Sequence, residues 1–306
     1  MRGEIRKHVV ILGGGPAGHA TAVAIPEALV IERAGLHNVG DNRTFGPHFL
    51  WRRLSGFEVK PTKVVSHIDG ELATDVTVAA YRKKVGRVDD RRPWYDEYGP
   101  QGTQFQIEKW PEIRALWGVE VKKVHLADHV VQVKSGRLTI DIGYDCLINT
   151  LPMPNFWRMT SLFRDLDDVF SWSPIYVWQR PYEERDRKKR QELGLTQHDD
   201  RYINWISSPE TAIFRESHHP SGVQYETLAH SLQLDDFREA DTGNVKLVHT
   251  HWPGKIWANE RELRVITKMA RGFDVFFCGR YGRWDYAELL HHTYEHALEV
   301  RKGIGL

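Results

Sequence analysis

Four apolar residues in succession, Val9 to Leu12, are cut off by glycines at 13, 14 and 15, and a stretch of small and apolar residues runs on from Pro16 to Ile25. A second apolar run, Ala28 to Ile31, closes on Glu32. Short continuous apolar runs bounded by turn residues mark strands buried on both faces, so the pattern predicts strand, tight turn, helix, strand, the opening of a parallel α/β sheet. Strand-like runs return at 118–124 (G-V-E-V-K-K-V), 129–133 (H-V-V-Q-V), 137–142 (R-L-T-I-D-I) and 144–152 (Y-D-C-L-I-N-T-L-P), the last stopped by Pro152. Near the end, V-F-F-C-G-R at 275–280 predicts another buried strand, and apolar positions at helical spacing predict a closing helix from about Tyr286 to Lys302.

Two less regular regions interrupt this series. One, from about Gly35 to Pro111, is rich in Gly, Pro and charge; the other, polar and aromatic, runs to about Thr242. The run Glu183 to Arg190, E-E-R-D-R-K-K-R, has mixed sign and no apolar period, so it predicts an exposed helix or loop. No internal repeat or low-complexity tract is present. The expected fold class is therefore α/β, with a Rossmann-like nucleotide domain assembled from 1–55, 112–152 and 245–306. A discontinuous mixed α+β substrate domain, 56–111 and 153–244, is inserted between its pieces.

The first turn carries chemistry. Gly13, Gly15 and Gly18 form G-x-G-x-x-G, in which missing Cβ atoms allow a tight turn, close approach of backbone to a pyrophosphate, and close packing of helix on strand. Pro16 and Ala17 start the helix whose unpaired N–H groups point at the phosphates. Glu32, fourteen residues past Gly18, ends the second strand where its carboxylate reaches the hydroxyls of an adenosine ribose, and Arg33 follows it.

Composition narrows the field. A chain of 306 residues with 41% hydrophobic content can bury a large core, and no apolar stretch approaches the roughly 20 residues of a membrane span. The first strand follows the N-terminus directly, leaving no room for a signal peptide, so a cytoplasmic, membrane-free protein is expected. Cys146 and Cys278 are the only cysteines and form no C-x-x-C pair, which argues against a disulfide reductase. The net charge of +1 gives no global attraction to nucleic acid. Locally, Arg82, Lys83, Lys84, Arg87, Arg91 and Arg92 share a stretch with Trp94, Tyr95 and Tyr98. That composition suits a solvated surface, or a groove that neutralises phosphates and stacks bases. His292-Thr293-Tyr294-Glu295-His296 spells H-x-x-E-H, but a solvated helix face explains it, and no metal site is expected.

The runs 10–18, Gly46-Pro47-His48-Phe49, 144–152 and 276–286 (F-F-C-G-R-Y-G-R-W-D-Y) occur in the order seen in FAD enzymes of the UDP-galactopyranose mutase group, relatives of the amine oxidases and protoporphyrinogen oxidases, which the chain resembles. Ile203 to His219 also resembles the mutase strand and turn leading to the substrate segment. The resemblance implies FAD rather than NAD, with Gly46, Pro47, His48, Gly279, Arg280 and Trp284 joining the cradle. It implies His48 beside the isoalloxazine, Arg280 at phosphate or reduced flavin, and Tyr286 at the substrate pyrophosphate, these three being the catalytic candidates.

The chain departs from that pattern at the substrate side. The family arginine three residues before the glutamate is Ile213 here, with Arg215 adjacent to Glu216; the tyrosine pair before a proline is His251-Trp252-Pro253. The helical UDP-binding region is shortened. A retained flavin cradle and a rebuilt pocket follow, with Arg215, His218, His251, Trp252 and Tyr286 as candidate substrate contacts and His219, His249, Trp205 and Trp257 nearby in sequence. The expected function is flavin-mediated C–N or C–H cleavage, by an oxidase or lyase, on an amine or nucleotide-linked substrate. Short mutase-like flavoproteins resemble those of bacteriophage thymine-modification pathways, which makes a hypermodified thymine in DNA a candidate substrate. The alternatives are a true UDP-galactopyranose mutase, a non-redox isomerase, and a non-catalytic FAD-binding protein; oligomeric state is not legible.

Overall fold

The computed structural model describes residues 5–35, 49–71, 75–84, 101–160, 162, 169–219, 222–228 and 245–306. The chain divides into two compact units, one of 1–60, 106–171 and 256–306, the other of 61–105 and 172–255.

In the first unit the apolar opening forms strand β1 (Ile5–Leu12), the glycine turn, helix α1 (Pro16–Ala24) and strand β2 (Leu29–Glu32). Pro16 stands at the first helical position, where its missing N–H costs nothing. β2 pairs in parallel with β6 (Ala115–Trp117), and β1 with β9 (Leu138–Asn149), which pairs in parallel with β15 (Val275–Phe277). Five parallel strands thus run β6-β2-β1-β9-β15, extended by the antiparallel β7 (Glu120–His125) and β8 (Val130–Ser135) to a seven-stranded sheet. The runs 137–142 and 144–152 do not form separate strands. Gly143 between them pairs with Arg6 on one side and Val130 on the other, and a continuous ladder carries the chain through it.

The two faces of this sheet bury different clusters. Val9, Ile11, Val30, Cys146, Ile148 and Cys278 pack with Ala22, Ala24 and Ile25 of α1 and Ala297 of the last helix, α7 (Leu290–Gly303). On the other side Val10, Leu12, Leu147 and Phe277 meet Phe156 and Trp157 of helix α3 (Met153–Thr160) and Ile266 and Ala270 of helix α5 (Glu260–Arg271). Residues 153–171, placed with the substrate domain on sequence grounds, fall in the first unit because Met153, Phe156, Trp157 and Phe170 belong to its core. Both cysteines are buried, and burial pushes each thiol up to about 12.

The second sheet has eight strands in the order β14-β10-β13-β12-β11-β4-β5-β3. Its members are β3 (Phe49–Leu50), β4 (Glu58–Ile68), β5 (Gln101–Lys109), β10 (Phe170–Arg180), β11 (Arg201–Trp205), β12 (Ile213–His219), β13 (Gly222–Leu228) and β14 (Lys246–Ala258). Residues 245–255 belong to the second unit through β14. Helix α2 (Asp75–Lys84) packs Val78 and Tyr81 with Ile68, Ile175, Val177 and Phe214. The charged run at 183–190 forms helix α4 (Glu184–Glu192), with acids in its first turn and bases in its last, matching the helix dipole. No described helix is long and apolar enough to cross a membrane.

Candidate functional site

The glycine turn lies at the carboxyl end of β1. Gly13 takes φ +95°, and a Cβ there would meet Thr150 Oγ1 at 2.7 Å. At Gly18 a Cβ would fall 1.9 Å from the Gly13 carbonyl oxygen, so only glycine lets α1 lie this close to the turn. Gly15 differs: a Cβ would meet nothing within 4 Å among the described residues. Among those residues space is left before the start of α1, where backbone N–H groups concentrate positive potential.

Glu32 is held rigidly beside that space. Its Oε2 accepts the Gly14 N–H at 2.6 Å and its Oε1 the Ala34 N–H at 2.8 Å. Each oxygen keeps a further lone pair, so the carboxylate remains able to accept ribose hydroxyls. Past Glu32 a cavity of about 630 Å³ is lined by Arg33, Ala34, Gly118, Glu120, Lys134 and Gly136.

The C-terminal G-R turn meets the same place. Gly279, at φ +85°, would drive a Cβ to 2.5 Å from the Ala17 Cβ, and a Cβ on Gly282 would come 2.6 Å from the Asn149 carbonyl. These two glycines seat helix α6 (Arg280–Arg283) against α1 and the end of β9. Arg280 donates from Nε to the Glu288 carbonyl at 3.3 Å. Its two terminal nitrogens have no partner among the described residues. A half-buried guanidinium with two uncommitted donors is suited to a phosphate or another anionic group.

Beneath the turn lie two groups that sequence reasoning passed over. His19 is buried against Trp110, its ring 5.2 Å away, with Nδ1 3.2 Å from the Gly15 carbonyl. Burial holds its pKa below the ordinary histidine value, and Nδ1 donates to the Gly15 carbonyl at the glycine turn. Glu288 is 3% exposed; its Oε1 accepts the Gly279 N–H at 2.9 Å and the Thr293 hydroxyl at 3.0 Å. Burial works to raise its pKa, but His296, Arg283 and Thr293 outweigh that and hold the carboxyl below its usual range. The signal for both was faint, since Trp110, which packs on His19, and Gly279, Arg283 and His296, which surround Glu288, are brought to them by the fold.

Other candidates fall differently. His48, Gly46 and Pro47 lie outside the described residues, as does the basic-aromatic stretch from 85 to 98. Trp284 does not line the cradle. It takes φ +55° at the end of α6, is 3% exposed, and donates to the Trp257 carbonyl at 2.7 Å, so the left-handed turn points its indole into the core. Tyr286 also packs against that core, partly buried. The H-x-x-E-H residues serve the fold: His292 Nδ1 accepts the Leu289 N–H, and His296 flanks Glu288.

In the second unit His218 is 1% exposed, 3.1 Å from Glu216 through Nε2 and edge-on to Tyr202, which makes it a core group rather than a ready substrate contact. Arg215 is paired with Glu226 and lies over Trp205. His251 faces His249 at 4.5 Å, and the side chains of Trp252 and His219 lie outside the described residues. Lys84 spends its ammonium on the carbonyls of Ser208 and Ile213, so that one member of the basic stretch serves the fold.

No protein-family model matches the chain, and no curated protein does. Solved structures match over nearly its whole length. A fatty acid isomerase from P. acnes that produces CLA is 11% identical, with 98% of this chain and 99% of that one covered, at a TM-score of 0.59. A reduced UDP-galactopyranose mutase is 12% identical over 98% and 96%, also at 0.59. A putative protoporphyrinogen oxidase from Exiguobacterium sp. 255-15 is 10% identical over 99% of each chain at 0.54. These likenesses establish the Rossmann-like α/β fold.

Proposed function

We propose that the chain is an FAD-dependent enzyme of the oxidoreductase or isomerase type. The observation that carries this reading is a cradle whose protein parts leave the cofactor's contacts open: space before Gly15, spare lone pairs on Glu32, and uncommitted terminal nitrogens on Arg280. NAD would need only the first two. An arginine held at a second glycine turn packed on Ala17 extends the site beyond the ADP half, which favours FAD. Residues Gly13 to Gly18 and Glu32 would hold the ADP moiety, with Arg280 on a phosphate or on charge that develops at the flavin. When bound, the flavin would accept or return an electron pair; the chain supplies position, charge and exclusion of water.

Within that class, flavin-mediated cleavage of a C–N or C–H bond on an amine or nucleotide-linked substrate remains the leading reading, and a hypermodified thymine in DNA its most specific form. The stretch from Arg82 to Tyr98 supports a nucleic-acid partner by composition. Likeness to the reduced mutase favours a second reading, a non-redox sugar-nucleotide isomerase.

The two separate experimentally. An oxidase or lyase should lose its oxidised-flavin absorbance when substrate is added without oxygen. A mutase should convert UDP-galactopyranose only after dithionite reduction, and that result would overturn the leading reading. For DNA, oligonucleotide affinity should fall steeply with salt as phosphate contacts release counterions, and binding that is absent or insensitive to salt removes that partner.

A further inference from the structure

We propose that Glu288 is the positioning residue for Arg280, setting the guanidinium that the cofactor reading assigns to an anionic part of FAD. The inference rests on that reading. Two links make the connection. The Glu288 carboxylate accepts the Gly279 N–H, and the carbonyl of the same residue accepts Arg280 Nε, so residue 288 grips both members of the G-R pair. Thr293, Arg283 and His296, from α6 and α7, surround the carboxylate in turn; Arg283 Nη1 lies 3.3 Å from Oε2 and His296 Nδ1 3.5 Å from Oε1.

The buried carboxylate is held in place by the donors around it, so its grip on the Gly279 N–H is fixed from α6 and α7. Gly279, at positive φ with its Cβ position filled by Ala17, is packed close against α1. The Nε bond to the 288 carbonyl orients the Arg280 side chain, whose terminal nitrogens have no partner among the described residues.

The test is a double-variant cycle on FAD affinity, measured by flavin fluorescence quenching on the full-length apoprotein, with Glu288→Ala, Arg280→Met and the pair. If Glu288 acts through Arg280, Glu288→Ala should weaken FAD about tenfold, the equivalent of about 1.4 kcal/mol, in the natural background and by less than about twofold once Arg280 is Met. Glu288→Gln keeps an acceptor for Gly279 and should recover most of the affinity. Equal losses in both backgrounds would overturn the proposal, as would unchanged affinity in Glu288→Ala. Should Glu288→Ala fail to fold, Glu288→Asp, whose shorter side chain draws the acceptor away from the Gly279 N–H, replaces it in the cycle, and additivity with Arg280→Met again overturns the proposal. Failure of the natural protein to bind FAD at all would instead strike the cofactor reading.

Discussion

Gly15 and Gly18 both lack a side chain, for opposite reasons. A Cβ at 18 collides with backbone inside the chain, whereas a Cβ at 15 meets nothing within 4 Å among the described residues. Gly18→Ala should therefore destabilise the apoprotein by about 1–3 kcal/mol or more in urea titration. Gly15→Val should leave apoprotein stability within about 1 kcal/mol and yet abolish FAD binding; a Gly15→Val protein that still purifies yellow would show that the pyrophosphate does not pass there. His19 gives a pH signature. Its folded pKa is depressed by burial, so unfolding takes up a proton. Its contribution should be complete above about pH 6.5 and decline as pH falls through that value toward the lower folded one. Urea midpoints across pH 5 to 8 should slope in the natural protein and flatten in His19→Gln. The glycines and Glu32 were legible because their roles are local to one turn. His19 and Glu288 were not, because a buried histidine or glutamate is defined by what closes over it.

Helix α4 shows the same limit one level up. Its sequence, E-R-D-R-K-K-R-Q-E, contains no apolar stripe, and most of it is exposed, as its composition suggests. Asp186 is the exception, buried and gripped in two places by Arg180 from β10, at 2.5 and 2.9 Å. Burial tends to raise the Asp186 pKa, but Arg180 and the Glu183 N–H prevail and hold it low. Removing one partner strands the other charge, so Asp186→Ala should cost about 3–5 kcal/mol, whereas Arg180→Met with Asp186→Leu should recover much of it. Equal instability of single and double variants would mean that the pair does not act as a unit. Flavin content per folded molecule should be unchanged, because the pair belongs to the second unit. Strand runs were legible in the first sheet, at β1, β2, β8, β9 and β15, but β4 and β13 were not, because their buried positions lie among polar residues in stretches read as irregular. Within the first sheet the reading misplaced a break at Gly143, where pairing on both sides outweighed the glycine.

At the scale of the whole molecule, the first unit draws on three separated stretches of chain, and its central pairing joins β1 to β9. Arg301 reaches back across 277 residues to the Ala24 carbonyl and to Glu27, and Gly279 closes on Ala17. Such distant partners make for slow folding, because the entropy of closing long loops is spent before the contacts repay it. The glycine turn at 13–18 precedes in the chain the residues that pack on it, Gly279 and Gly282. Until that later stretch of chain has been made, the glycine turn stands without the two glycines that seat α6 against it.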